Sequence, residues 1–202
     1  MCDRHRVRLL LVAAAVAIPG VASADTYGSS WDELGVLRTQ IDMEGGNLVQ
    51  GVAVRFAPRI SISNNVYLGG ELDTGTLSGR VTNPTAYRTT GSGGEMQPGD
   101  PVTGKFGAVR AVVGVRARFG IISAAGEGAI GAHAADLQDQ YLTEVDAVHS
   151  NTVFFEGRAR VDLWVTPRLS VGAIAGVGLG DSHDTTAGIM FGYHFGNYDG
   201  MH

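Results

Sequence analysis

Along most of the chain, polar and apolar residues alternate with a period of two, as they do in a β-strand with two different faces. From Phe155 to Leu163, the odd positions are apolar or small and the even positions are all charged. Eight segments of this kind predict strands at about 35–44, 49–61, 66–78, 105–119, 121–132, 151–165, 169–181 and 185–196. The sequence therefore predicts an all-β protein.

The connections between these segments alternate between tight and long. Turn residues follow the second, fourth and sixth predicted strands at 63–65, Gly120 and 166–168, whereas residues 78–104 and 133–151 form long loops. Tight turns at one end, longer loops at the other and an even strand count are typical of transmembrane β-barrels. We therefore predict an eight-stranded antiparallel up-and-down transmembrane barrel.

The first 24 residues have the three parts of a secretory signal peptide. Basic residues at positions 4, 6 and 8 precede the apolar run 9–18, and the small residues 21–24 follow it. Pro19 and Gly20 interrupt the run before it is long enough for a membrane-spanning helix. We predict cleavage after Ala24, which makes residues 25–202 a single exported domain without cysteine.

The charge composition of the predicted mature chain limits which classes of molecule are expected to bind it. The predicted mature chain keeps 12 of the 15 basic residues and 19 of the 20 acidic ones, so its formal charge is −7. An acidic chain without basic runs argues against nucleic acid as a partner. Lys105 is the only lysine, although water-facing protein surfaces usually carry many.

Alternation alone does not say which face points inward, and a soluble lipocalin-like barrel would place its charges in water. The scarcity of lysine, the export signal and the apolar composition of the other face favour a membrane barrel with charges in its lumen. Strand parity then assigns these side chains to the lumen: Arg38, Asp42, Arg55, Arg59, Glu71, Asp73, Arg110, Arg116, Arg118, Glu127, Glu156, Arg158, Arg160 and Asp162.

Eight arginines and six carboxylates nearly cancel, so we expect a structural network of ion pairs that fills the lumen. A narrow ion path along this network is the functional alternative. Glycines at 172, 176, 178, 188 and 192 fall on the inward face, where they leave room for long arginines from the strands opposite. A small-ligand cavity is the alternative explanation for these glycines.

The segment from Gly188 to Phe195 alternates apolar residues and ends on aromatics. It resembles the C-terminal signature of bacterial outer-membrane barrels, which implies that the barrel-assembly machinery reads Phe191, Tyr193 and Phe195. With its eight strands and its loop pattern, the predicted mature chain resembles the small barrels of the OmpA membrane-domain and OmpX type. The resemblance implies a location in the outer membrane of a Gram-negative cell envelope, among outer-membrane lipids and lipopolysaccharide.

For function, we expect a structural or surface-interaction role through loops 78–104 and 133–151, which could contact an extracellular protein. A narrow channel or a small-ligand transport barrel is the alternative. A lipid-directed hydrolase that uses Ser182 and His183, or His149 and Ser150, is a remote one, because no nucleophile motif surrounds either serine. We expect no enzyme activity, no cofactor and no metal site, since His133, His149 and His183 lack ligand spacing. Residues 31–34 are expected to form an amphipathic turn or an unstructured lead before the first strand.

Overall fold

The computed structural model describes residues 29–43, 47–84, 87–89, 96–138, 144–147, 152–179 and 184–195. They form eight long strands and two short ones. The long strands are β1 (Ser30–Met43), β2 (Asn47–Ser61), β3 (Val66–Arg80), β5 (Pro101–Phe119), β6 (Ile122–Gln138), β8 (Thr152–Thr166), β9 (Leu169–Leu179) and β10 (Thr185–Phe195). The short strands are β4 (Tyr87–Thr89) and β7 (Glu144–Ala147).

The eight long strands close into a barrel in which each strand pairs antiparallel with its neighbours. The ring runs β1, β2, β3, β5, β6, β8, β9, β10 and back to β1. The closing seam pairs β1 with β10 from Ser30 opposite Phe195 to Gln40 opposite Thr185. Closure leaves no edge within the ring, and this is what lets strands cross a membrane. The predicted eight-stranded antiparallel barrel is confirmed.

The tight turns lie together at one end of the barrel, which we call the turn end. Gly120 has a φ of 61°, a left-handed conformation that glycine adopts without strain. In the turn after β8, the Thr166 hydroxyl accepts hydrogen bonds from the backbone N–H groups of Arg168 (3.2 Å) and Leu169 (3.0 Å). In the turn after β2, the Ser63 hydroxyl accepts one from Val66 (3.1 Å). The opposite end, with the longer connections, is the loop end.

Several strands extend beyond their predicted bounds. β1 begins at Ser30, so the expectation of a turn or an unstructured lead at residues 31–34 is wrong. At the loop end, β3 continues to Arg80, β5 begins at Pro101 and β6 continues to Gln138. The two predicted loops also contain strands, because β4 pairs with β7 and β7 pairs with β6. The two connections are thereby joined beyond the ring.

No helix among the described residues is long and apolar enough to cross a membrane. The predicted signal peptide and its cleavage site after Ala24 lie outside the described residues, so they remain predictions.

Candidate functional site

The barrel interior holds nearly all of the predicted charged residues. Twelve of the fourteen side chains face inward and are buried: Arg55, Arg59, Glu71, Asp73, Arg110, Arg116, Arg118, Glu127, Glu156, Arg158, Arg160 and Asp162. They come from β2, β3, β5, β6 and β8, so the charges converge from five strands on one enclosed space.

The two residues predicted on β1 do not join them. Arg38 lies on the outer surface, where its Nη2 donates a hydrogen bond to Oε1 of Gln50 over 2.6 Å. The expectation that Arg38 faces the lumen is wrong, because Leu37, Thr39 and Ile41 occupy the inward positions of this part of β1. The side chain of Asp42 lies outside the described residues, although its backbone pairs with Leu48.

Glu33 is not among the residues predicted from the sequence, and it is completely buried and belongs to the same network. Its carboxylate accepts hydrogen bonds from Nη1 of Arg160 (2.6 Å) and from the indole N–H of Trp31 (2.7 Å). Leu34 and Val36 both face outward, so extending the period of two backward from them would have placed Glu33 inside.

Glu71 on β3 lies at the centre of the network. Its carboxylate contacts Nη1 of Arg55 (3.2 Å), Nη1 of Arg158 (2.7 Å) and the guanidinium of Arg59. All four side chains have no exposed surface. A buried carboxylate without a partner would cost several kcal/mol, and three arginines now share this one.

Two further carboxylates, those of Asp73 and Glu156, extend the network toward the loop end. Asp73 accepts a two-pronged contact from Arg55 (2.7 and 2.9 Å) and a third hydrogen bond from Nη1 of Arg110 (2.5 Å). Glu156 lies 3.4 Å from Nε of both Arg110 and Arg158. Two-pronged contacts fix the orientation of both partners, so the network also fixes the relative positions of the strands.

Two of the arginines stack on aromatic rings at the turn end. The guanidinium of Arg116 lies 4.2 Å from the ring centre of Trp31, and that of Arg118 lies 3.9 Å from the ring centre of Trp164. Tyr67 packs edge-on against Trp31 at 5.3 Å and donates a hydrogen bond to Glu127 over 2.5 Å. Such cation–π contacts are worth up to about 2 kcal/mol in a desolvated site. This layer closes the lumen at the turn end.

Apolar side chains fill the interior toward the loop end. The buried cluster contains Leu37, Ile41, Val49, Ala53, Ala57, Leu77, Val81, Val102, Phe106, Leu137, Ile174 and Met190. Met96, which precedes β5 in the long connection, packs against this cluster. From the turn end, the interior has an aromatic, an ionic and an aliphatic layer, and three members of the apolar cluster, Ala57, Ile174 and Met190, lie level with the ionic layer.

Comparison with solved structures relates this architecture to known barrels. Neisserial surface protein A superposes with a TM-score of 0.55 at 9% identity, over 82% of this chain and 95% of that one. A de novo designed transmembrane β-barrel gives a TM-score of 0.50 at 10% identity, over 85% and 99%. The chain has the fold of the small eight-stranded outer-membrane β-barrels.

A third barrel of this kind, Ail, the attachment invasion locus protein of Yersinia pestis, matches with a TM-score of 0.49 at 15% identity, over 84% of this chain and 100% of that one. No family model matches the chain, and no curated protein matches it in sequence.

The outer surface of the barrel carries the apolar band that this fold requires. Exposed large apolar side chains occur on all eight long strands, and Val109 and Leu34 are 61% and 57% exposed. Phe191, Tyr193 and Phe195, the proposed assembly signal, lie on this surface, and the rings of Tyr193 and Phe195 pack edge to face at 5.0 Å. In water such a surface would drive aggregation, whereas in a bilayer it contacts acyl chains.

Two of the inward glycines make room for carboxylates of the neighbouring strand. A Cβ at Gly172 would collide with the carboxylate of Asp162, and one at Gly176 would collide with that of Glu156. Both acidic residues lie on β8, which pairs with β9. The expectation that long arginines need this space is therefore wrong at Gly172, whereas at Gly176 a Cβ would also meet Cγ of Arg158, its register partner on β8, at 2.7 Å.

A small polar pocket lies near the loop end, lined by Thr39, Arg110, His133, Glu156, Asp184 and Thr186 with four apolar residues. Its free volume of about 10 Å³ is close to what one water molecule needs. A ligand larger than water would have to displace side chains of the barrel.

Among the described residues, no arrangement of side chains supports the catalytic or the metal-binding alternative. No group of three or more His, Cys, Asp or Glu side chains among them is arranged to hold a metal ion. Residues 149, 150, 182 and 183 lie outside the described residues. Ser170 does contact His194, with Oγ 3.1 Å from Nε2, but both side chains are buried and the histidine packs against Trp164.

Proposed function

We propose that the protein is a closed outer-membrane barrel with a structural or surface-interaction role and without enzyme activity. The observation that carries this proposal is the filled interior. The buried ion pairs around Glu71 join β2, β3 and β8 across the lumen, and the aromatic and aliphatic layers lie on either side of them. A barrel of eight strands is just wide enough for its own side chains, so this filling supports a lumen without an aqueous path.

The surface-interaction part of the proposal rests on the loop end. β5 and β6, with 19 and 17 residues, are longer than the other strands, and β7 and β4 extend the sheet from β6. Strand pairing holds these two connections on a rigid scaffold, and binding residues are found disproportionately on loops that are held in this way. We assign to it the contacts with extracellular partners that loops 78–104 and 133–151 were expected to make. Export, insertion by the barrel-assembly machinery through Phe191, Tyr193 and Phe195, and residence among lipopolysaccharide remain parts of the proposal.

The alternative function is a narrow channel, and planar-bilayer recordings separate the two. We expect the purified barrel to give no steady single-channel steps. A variant in which residues 85–95 are replaced by a short Gly-Ser linker should also give no single-channel steps, because we expect the side chains in the lumen, rather than this loop, to block the barrel. Faster gel migration without boiling would show that both proteins are folded. Steady steps from the wild type would refute the closed-barrel proposal, and steps from the shortened variant alone would place the block in the loop.

A further inference from the structure

The outer face of the barrel carries exposed cations just beyond the apolar band. Arg38 on β1, Arg80 on β3 and Lys105 on β5 all point outward at the loop end. Arg38 and Lys105 lie on one register row, which consists of Arg38, Val52, Thr76 and Lys105. Lys105 lies farther from the turn end of its strand than Arg38 does, so the row rises away from the membrane.

Uncharged polar side chains accompany these cations. The next row toward the loop end consists of Gln40, Gln50, Ser78 and Thr103. The hydrogen bond from Arg38 to Gln50 ties the guanidinium to this row, and among the described residues it uses one of the five N–H donors of an arginine side chain. On β6, the register partner of Lys105 is the exposed acidic residue Asp136, so the surface of basic and uncharged polar side chains does not continue onto β6. We call the face formed by Arg38, Arg80, Lys105, Gln40 and Gln50 the cationic face.

The opposite wall is different at the loop end. Val153 and Phe155 of β8 and Leu179 of β9 are exposed there, and all three are apolar. Among the described residues of β6, β8, β9 and β10, no outward side chain is basic. Among the described side chains of the eight long strands, the cations beyond the apolar band therefore lie on β1, β3 and β5.

We propose that the cationic face binds the phosphate groups of a phosphorylated lipid in the outer leaflet. Charge complementarity and continuity with the apolar band support this occupant. Two outward rows below Arg38, past the row of Val36, Val54, Thr74 and Gly107, the row of Leu34, Phe56, Leu72 and Val109 is exposed and entirely apolar. A lipid whose acyl chains lie on that row places its phosphates at the level of Arg38, where arginine can bind two oxygens at once. This inference rests on the proposed residence among outer-membrane lipids and is independent of whether the lumen conducts.

The test uses the folded mature barrel in nanodiscs of phosphatidylcholine that contain a minor fraction of phosphatidic acid. The amount of each lipid retained is measured by native mass spectrometry. The variant combines Arg38→Gln, Arg80→Gln and Lys105→Gln, and the control is Arg168→Gln, which removes an exposed cation at the turn end. Gel migration without boiling checks the fold of each protein, and single variants replace the triple variant if it does not fold.

We expect the wild type and the control to enrich phosphatidic acid over phosphatidylcholine. Each charge removed from the cationic face should weaken this preference by about fivefold, since one basic group near an anionic surface contributes about that factor. Added salt should reduce the preference. Equal enrichment in the triple variant and the control would overturn the proposal. Complete competition by millimolar inorganic phosphate would overturn it too, because the face would then bind a free anion rather than a lipid.

Discussion

On β1, β2, β3 and β5, the part of the wall at membrane level and the part beyond it have opposite polarity. At membrane level the outward row is Leu34, Phe56, Leu72 and Val109, and the inward row beside it is Gly35, Arg55, Asp73 and Ala108. Nearer the loop end the outward row is Gln40, Gln50, Ser78 and Thr103, and the inward row is Ile41, Val49, Gly79 and Val102.

The inversion shows that the surroundings, rather than the strand itself, decide which face is polar. Where lipid covers the outside, charged side chains can be accommodated only inside, in mutual contact. Where water covers the outside, the same strands bury aliphatic side chains, as soluble proteins do. On these four strands, a charged interior at membrane level and an aliphatic interior nearer the loop end are thus separated by only a few residues.

The largest expected effect comes from Glu71→Gln in the ionic layer. The change leaves Arg55, Arg59 and Arg158 without their shared carboxylate in a space closed to water. We expect the free energy of unfolding to fall by about 3–5 kcal/mol. Urea titration in lipid vesicles, followed by the fluorescence of the buried Trp31 and Trp164, measures the loss.

The exposed Arg38→Gln is the control for that titration, with an expected loss below about 1 kcal/mol. The double variant Glu71→Gln, Arg158→Gln should lose less than the sum of its two single changes, since it removes both members of a pair. If Glu71→Gln were no worse than Arg38→Gln, the network would not hold the barrel together.

The inversion also explains which parts of the fold and site the sequence could predict. The eight strands and most of the lumen residues followed from period-two alternation, because one polarity rule holds throughout the apolar band. Arg38 was placed on the wrong face because this part of β1 already lies beyond the band, where polar residues point outward. β4 and β7 were missed, since a strand of three or four residues carries too little alternation to be recognised.

A second comparison sets two leucines of β3 against each other. Leu77 is 2% exposed in the aliphatic layer, whereas Leu72 is 56% exposed on the outer surface. We expect Leu77→Ala to cost about 2–5 kcal/mol, because it leaves a cavity among fixed side chains. Leu72→Ala should cost clearly less, since acyl chains can fill the vacated volume. The same urea titration measures both, and equal losses would mean that the aliphatic layer is not packed as a core.

Two lysine substitutions on the outer face of β5 locate the membrane boundary, and the one beyond the boundary has the smallest expected effect. Val113 lies within the apolar band and is 49% exposed, whereas Thr103 belongs to the polar row nearer the loop end. Val113→Lys should cost about 2–4 kcal/mol if it lies near the bilayer midplane, because its ammonium group must leave water or distort the lipid. Thr103→Lys should change the free energy of unfolding by less than about 0.5 kcal/mol, as an exposed surface substitution does. Unfolding and refolding in lipid vesicles without detergent measure the free energy of unfolding of both variants. A similar cost at Thr103 would mean that lipid reaches beyond the inversion, so the change of polarity would no longer mark the membrane surface.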